Sequence, residues 1–257
     1  MLSSVRHFIG RLLLVQRLRQ RASSLEAWRE LIARIYLRGE GIEIGALNRP
    51  LRAPRAAKVK YVDRLTVAAL RSQYQELAKE KLVEADIIDE GERLTTIRDN
   101  SQDFVIANHF VEHCQDPISA LANMLRVLRD GGILYLAIPD KRHSPDLDRP
   151  ITSNEHLLRD YRDGPSWSKR QHFEEWVRLW TYERRQDADA VEKRVRELMD
   201  MDYSIHYHVW TPAAFMSFLL LLKDELAANV NLHFEIEQFF QNESEVIVIL
   251  RKSIHRS

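Results

Sequence analysis

Residues Phe104 to Pro117 read FVIANHFVEHCQDP, in which His109, Glu112 and His113 have H-x-x-E-H spacing. On a helix, two imidazoles four residues apart share a face. They could hold a zinc ion there, with the glutamate as the base that activates water. At the end of a strand, the same side chains would instead spill into a pocket beside a sheet. Far along the chain, Ile205-His-Tyr-His-Val-Trp-Thr211 adds His206 and His208. Imidazole titrates near neutrality, so His109, His113, His206 and His208 are all candidates to take a proton from a reacting hydroxyl.

The flanking elements decide between the two readings. Ile106, Ala107 and Asn108 complete an apolar run, Phe104 to Asn108, that reads as a buried strand. Asp116 can cap a helix, with Pro117 in its first turn and Leu121, Met124, Leu125 and Leu128 as its stripe. Gly131-Gly132 ends that helix, and Ile133 to Pro139 is the next strand. Strand, helix and strand make a βαβ unit, and the strand-end reading prevails over the hydrolase.

Earlier segments have the same texture. Ile42-Glu43-Ile44-Gly45 is a short strand closing on glycine, Val59 to Asp63 a second and Leu82 to Asp86 a third, the last two ending in an acid. In an open parallel sheet, ligands bind beyond the carboxyl ends of the strands. Gly45 permits close backbone approach there. Asp63 lies 18 residues after Gly45, near the interval at which an acid meets a ribose hydroxyl. Asp86 could accept from an adenine amino group, and Asn108 and His109 complete the row.

The rest of the chain is helical or closes the sheet. Val5, Phe8, Ile9 and Leu12 begin a basic amphipathic helix, and a second starts at Ser23 with Leu25, Trp28, Leu31, Ile32 and Ile35 as its stripe. This 1–40 extension carries eight Arg and three Glu, a local +5. It reads as a helical extension packed on the domain, or as a contact with a membrane surface or a partner. Residues 141–205 form a charged insert with helices near 154–161, 168–183 and 187–200, in which Trp167, Trp176 and Trp180 could anchor helices or wall a sugar site. Thr211-Pro212 opens an apolar helix, and strands near 232–239 and 244–251 finish the chain.

Composition narrows the class. The 38 basic and 38 acidic residues cancel, which gives no overall signature of nucleic-acid binding. A single cysteine, Cys114, excludes an internal disulfide and fits a reducing cytoplasm. No apolar run approaches the ~20 residues of a membrane span, and the Arg-interrupted start does not read as a signal peptide.

Gly41-Ile-Glu-Ile-Gly-Ala-Leu-Asn48, Tyr61-Val-Asp63, Ala85-Asp86-Ile87-Ile88 and the run from His109 through Gly132 together resemble the class I S-adenosylmethionine-dependent methyltransferases over roughly residues 41–140. Ile138 to His143, Asp148-Arg-Pro150 and Glu155 to Leu158 are similar to members encoded among glycosyltransferases for surface polysaccharides. The resemblance implies an α/β fold with a Rossmann-like, mostly parallel seven-stranded sheet of order 3-2-1-4-5-7-6. It also implies S-adenosylmethionine as cofactor, held by Glu43, Gly45, Ala46, Asp63, Asp86, Ile87 and Asn108. The chain departs from the family in keeping only Gly45 of the usual glycines, and Pro50, Pro54 and the 13-residue gap 46–58 leave room for one turn of helix at most between the first two strands.

The organisation expected is a helical extension over 1–40 and a methyltransferase domain over 41–257, with the 141–205 insert covering the substrate. The expected reaction is O-methylation of a sugar hydroxyl in glycan or polysaccharide biosynthesis. The alternatives are methylation of an RNA terminus or another small metabolite, and a non-catalytic cofactor-binding partner of a glycan assembly complex. The expected location is cytoplasmic or at the inner face of the membrane, where the basic helix could touch lipid or a glycosyltransferase. A resemblance to the enzyme that methylates the terminal ribose of small RNAs implies a divalent ion at His109, Glu112, His113 and His206 or His208. A metal-free histidine base is the preferred reading.

Overall fold

The structure, a computed structural model, describes residues 25–180 and 188–253. The basic helix expected before residue 22 and the Ser23 cap lie outside the described residues. The Trp180 side chain does too.

The sheet is built as its burial pattern dictates. In β4 (Gln102–Asn108), Val105 and Ala107 face one apolar cluster while Phe104 and Ile106 face another, so the strand is buried on both sides. It lies between β1 (Gly39–Ile44) and β5 (Leu128–Pro139), parallel to both. β2 (Ala57–Asp63) and β3 (Ile87–Ile88) extend one side, and the antiparallel β7 (Glu245–Lys252) and β6 (Phe234–Asn242) the other. The order is β3-β2-β1-β4-β5-β7-β6, as the resemblance implied. No helix joins β1 to β2.

Capping fixes the helices around it. In α3 (Pro117–Val127), Asp116 accepts from the Ser119 amide at 3.0 Å. In α7 (Pro212–Val230), Thr211 accepts from the Ala214 amide at 3.3 Å. Both helices pack on one face of the sheet. The opposite face is covered by α1 (Leu25–Tyr36), through Ile32, Ala33 and the following Leu37. The remaining elements are α2 (Val67–Gln73) after β2, and α4 (Asn154–Asp163), α5 (Ser166–Trp180) and α6 (Ala188–Asp200) in the insert.

Three expectations are corrected. The third strand is only Ile87–Ile88, because pairing with Val62 and Asp63 begins after Asp86 and residues 82–86 stay irregular. Leu128 opens β5 rather than closing α3. The preceding helical carbonyls are already taken, that of Arg126 by the Asn100 amide at 3.1 Å and that of Val127 by the Ser101 amide at 2.8 Å. Ile35 is exposed (58%), since the buried face of α1 is rotated towards Ala33.

Candidate active site

A cleft of about 330 Å³ opens beyond the carboxyl ends of β1, β2 and β4, where an open α/β sheet is expected to bind a ligand. Ile44, Gly45 and Leu47 supply one wall. Gly45 has φ +62°, and its amide donates to the Val62 carbonyl at 2.9 Å. Gly91 forms another part of the lining, and a Cβ there would sit 2.4 Å from Ile44 Cγ2 and 2.6 Å from Phe110 Cζ, so any larger residue would have to displace those side chains.

Asp63 lines the cleft at the end of β2, and one carboxylate oxygen accepts from the Leu65 amide at 3.1 Å. Burial raises its pKa, and the Leu65 and Arg64 amides offset part of the effect. Asp86 stands elsewhere. Its carboxylate accepts from the Tyr61 amide at 2.8 Å and ties the edge of the sheet together. After β3 the cleft is lined by Glu90, Gly91 and Glu92 instead. Burial pushes Glu92 up to about 7, against backbone hydrogen bonds from Gln115 and Asp116.

Neither Glu43, Ala46, Ile87 nor Asn108 lines the cleft. Glu43 is buried behind the β1–β2 connection, where it accepts from the Leu51 amide at 2.9 Å, and desolvation lifts it to about 7. Ile87 packs against the main core. The Asn108 amide is buried at the end of β4, with both polar atoms unpartnered.

His109 lines the cleft in a left-handed conformation, φ +48°, directly after β4. Only Val111–His113 form a short 3-10 turn, so His109 and His113 do not share a helical face. That rules out the hydrolase reading. The Nε2 atom of His109 lies 2.8 Å from Glu245 Oε2. Glu245 also accepts from Arg29 of α1 and from Asn242 Nδ2 at 2.7 Å. Burial would raise its pKa, but the hydrogen bonds and charges of His109 and Arg29 prevail and hold it low. An ionised carboxylate only accepts, so His109 carries its proton on Nε2. Neither Glu245 nor Arg29 was identified from sequence. A visible signal was an acid opening the otherwise apolar run Glu245 to Leu250.

His113 also lines the cleft, with Nδ1 2.9 Å from the Ile205 carbonyl; burial lowers its pKa to about 3. His206 does not reach the lining. Its Nδ1 meets Asp146 Oδ2 at 2.6 Å, and Asp146 also pairs with Arg149 at 3.0 Å. Burial would lower the His206 pKa, yet Asp146 and Glu112 raise it overall. Glu112 is buried, and its carboxylate has no hydrogen-bond partner. Glu112, His113 and His206 bring ligand atoms within 4.8 Å of one another, so three of the residues considered for a metal do converge. Burial raises the Glu112 pKa, and a divalent ion would supply the missing partner. His208 is separate: it is buried beneath the insert among other histidines.

The insert closes the cleft. Arg64 Nη1 meets Asp202 Oδ2 at 2.9 Å, Tyr203 donates to Glu76 at 2.7 Å, and Gln73 donates to the Met201 carbonyl at 2.8 Å. Tyr74, Tyr203 and Tyr207 provide aromatic lining, with the Tyr74 and Tyr203 rings 5.1 Å apart. Trp167 is not part of the lining; Arg159 lies over its ring at 3.9 Å, and His156 packs beside it.

Residues 41–136 match the family model described as a methyltransferase domain. No curated protein matches in sequence. A solved structure from Rhodobacter sphaeroides, described as a candidate Zn-dependent alcohol dehydrogenase, is 14% identical over 86% of each chain, with a TM-score of 0.50. A SAM-dependent methyltransferase from Thermotoga maritima is 14% identical over 98% of this chain and 100% of that one, TM-score 0.46. Another from Aquifex aeolicus is 10% identical over 87% and 88%, TM-score 0.44.

Proposed function

We propose that this chain, an enzyme carrying a class I S-adenosylmethionine-dependent methyltransferase domain, methylates a hydroxyl of a sugar acceptor, with His109 as the base. The observation behind this reading is the character of the cleft. Asp63, Glu76, Glu90, Glu92 and Asp202 line it, against one guanidinium, that of Arg64, which is already paired with Asp202. Of these carboxylates, Glu76 and Asp202 lie outside the part assigned below to the cofactor and can accept from sugar hydroxyls, and tyrosine faces suit the C–H surface of a pyranose. The same carboxylates repel phosphate, which disfavours an RNA terminus.

Gly45, Asp63 and the Glu90–Glu92 turn would hold the cofactor, since backbone free of Cβ at Gly45 and Gly91 and a half-buried acid at Asp63 fit a nucleoside and an amino-acid moiety. S-adenosylmethionine supplies an electrophilic methyl group on a sulfonium. The protein's contribution is mainly positioning, because methyl transfer is a direct displacement. With Nε2–H donated to Glu245, Nδ1 of His109 can accept the acceptor's hydroxyl proton. Glu245 then stabilises the imidazolium, and Arg29 keeps that carboxylate ionised and aligned.

A second reading is supported by the unpartnered carboxylate of Glu112. With His113 and His206 it would bind a divalent ion, each imidazole being oriented through its other nitrogen by Ile205 or Asp146. Calorimetry with S-adenosylhomocysteine, followed by methyl-transfer assays over a sugar panel on the wild type, His109→Ala and Glu112→Gln, tests both. We expect binding, and turnover that His109→Ala lowers about 10²–10⁴-fold and Glu112→Gln largely retains. Loss of turnover in Glu112→Gln together with loss of a bound metal ion would establish the second reading. Binding with no turnover on any sugar would overturn the first.

A further inference from the structure

We propose that His156, Asp160, His172 and His208 form a buried four-ligand site for a structural zinc ion, which joins the helical insert to the methyltransferase sheet. Each residue offers one ligand atom, and the four atoms lie within 4.8 Å of one another. Their origins differ. His156 and Asp160 are one turn apart on α4, His172 comes from α5, and His208 from the extended segment before α7.

Three of the six ligand–ligand separations are close to those of a coordination tetrahedron. Nε2 of His156 is 3.1 Å from Nε2 of His172 and 3.2 Å from Oδ2 of Asp160, which is 3.7 Å from Nε2 of His208. Ligands about 2.0–2.1 Å from a tetrahedral zinc stand about 3.3 Å from each other.

Hydrogen bonding does not account for the cluster. The Asp160 Oδ2 atom is buried and has no hydrogen-bond partner. A ring nitrogen carries at most one proton, so His156 Nε2 can donate to His172 or to Asp160 but not to both. A proton on His208 Nε2 has the Gln115 carbonyl, 3.3 Å away, as its acceptor. Either the 1% exposed carboxylate or the His156–His172 contact is thus left without a proton between its atoms. A divalent cation removes that conflict, because all four atoms can then present lone pairs, with the His172 and His208 protons on buried Nδ1 atoms that have no hydrogen-bond partner. The other oxygen of Asp160 accepts from Ser168 Oγ at 3.0 Å, which orients the carboxylate from outside the cluster.

Three imidazoles and one carboxylate suit zinc, and four protein ligands in a closed site indicate structure rather than catalysis. The ion would set the insert's position over the cleft, since Tyr207, a lining residue, immediately precedes His208 and packs edge-on against His172.

The test is metal analysis of the full-length protein after dialysis, with cobalt(II) replacing zinc as a spectroscopic probe. We expect one zinc per chain, the intense visible bands of four-coordinate cobalt, and loss of both in His172→Gln and Asp160→Asn. Glu112→Gln should retain the ion, which distinguishes this site from the one beside the cleft. If these variants fail to fold, thermal unfolding of the wild type serves: a chelator should lower Tm by several degrees and added Zn²⁺ restore it. No stoichiometric zinc, zinc retained in His172→Gln, or a Tm indifferent to chelator would overturn the proposal.

Discussion

The Asp63 carboxylate is anchored by the Leu65 amide while facing the cleft, whereas that of Asp86 is spent on the Tyr61 amide at the sheet edge. If Asp63 meets a ribose hydroxyl, leaving that hydroxyl unpartnered costs about 1–3 kcal/mol. Asp63→Ala should therefore weaken S-adenosylhomocysteine binding about tenfold or more by calorimetry. Asp86→Ala should change it less than about twofold while lowering Tm, because the β2–β3 edge loses a link. Equal losses of affinity in the two variants would refute the distinction. His109 shows a comparable division within one side chain: Nε2 is committed to Glu245, while Nδ1 lies 3.9 Å from Oε1 of the buried Glu112.

At the cleft, residues 201–203 of the insert are held by a few exposed contacts, while Leu157 of α4 packs into the main core. Phe173, Val177, Val191, Val195 and Leu198 give the insert a small core of its own, apart from the clusters on the sheet. Its link across the cleft consists of Arg64–Asp202, Tyr203–Glu76 and Gln73–Met201. Surface pairs of this kind contribute about 0–1 kcal/mol each, so this edge can open at small cost to admit ligands. Removing two of the contacts with Asp202→Ala and Tyr203→Phe should raise the acceptor's KM several-fold and speed amide exchange over residues 201–205, with kcat much less affected. Unchanged exchange and KM would show that these contacts do not govern closure.

Across the whole molecule the charges cancel, 38 against 38, so the pH dependence of stability is set by local buried groups rather than net repulsion. Glu43 is the clearest of them. Its pKa rises on folding from 4.5 to about 7, chiefly through desolvation. The folded state then binds the extra proton between those values, so stability falls as pH rises from about 4.5 to about 7 and levels off above. The loss is on the order of a few kcal/mol. Glu43→Gln cannot ionise and keeps an oxygen for the Leu51 amide. Denaturant unfolding at pH 5 and pH 8 should show wild type losing more stability than the variant. Parallel losses would remove Glu43 as the source. Among the described residues, no helix is long and apolar enough to cross a membrane.

Local rules in the sequence determined the elements. Apolar runs buried on both faces gave β1, β4 and β5, Asp116-Pro117 and Thr211-Pro212 opened helices, and an acid ending β2 marked Asp63. These features depend on neighbours within a few residues, which is why they could be read directly. Only the tertiary structure decided the rest. The third strand shrank to two residues because its register is set by β2 and not by its own pattern. Glu245 reached His109 from 136 residues away, across the β5–β7 pairing. His206 and His208, two apart in the sequence, were parted into different clusters. The Tyr207 and His208 amides both turn to the Glu112 carbonyl, at 2.8 and 3.3 Å, where a regular strand would send them to opposite sides. That bend directs one histidine to Asp146 and the other to Asp160. It is imposed by a carbonyl nearly a hundred residues earlier in the chain, which no local spacing could reveal.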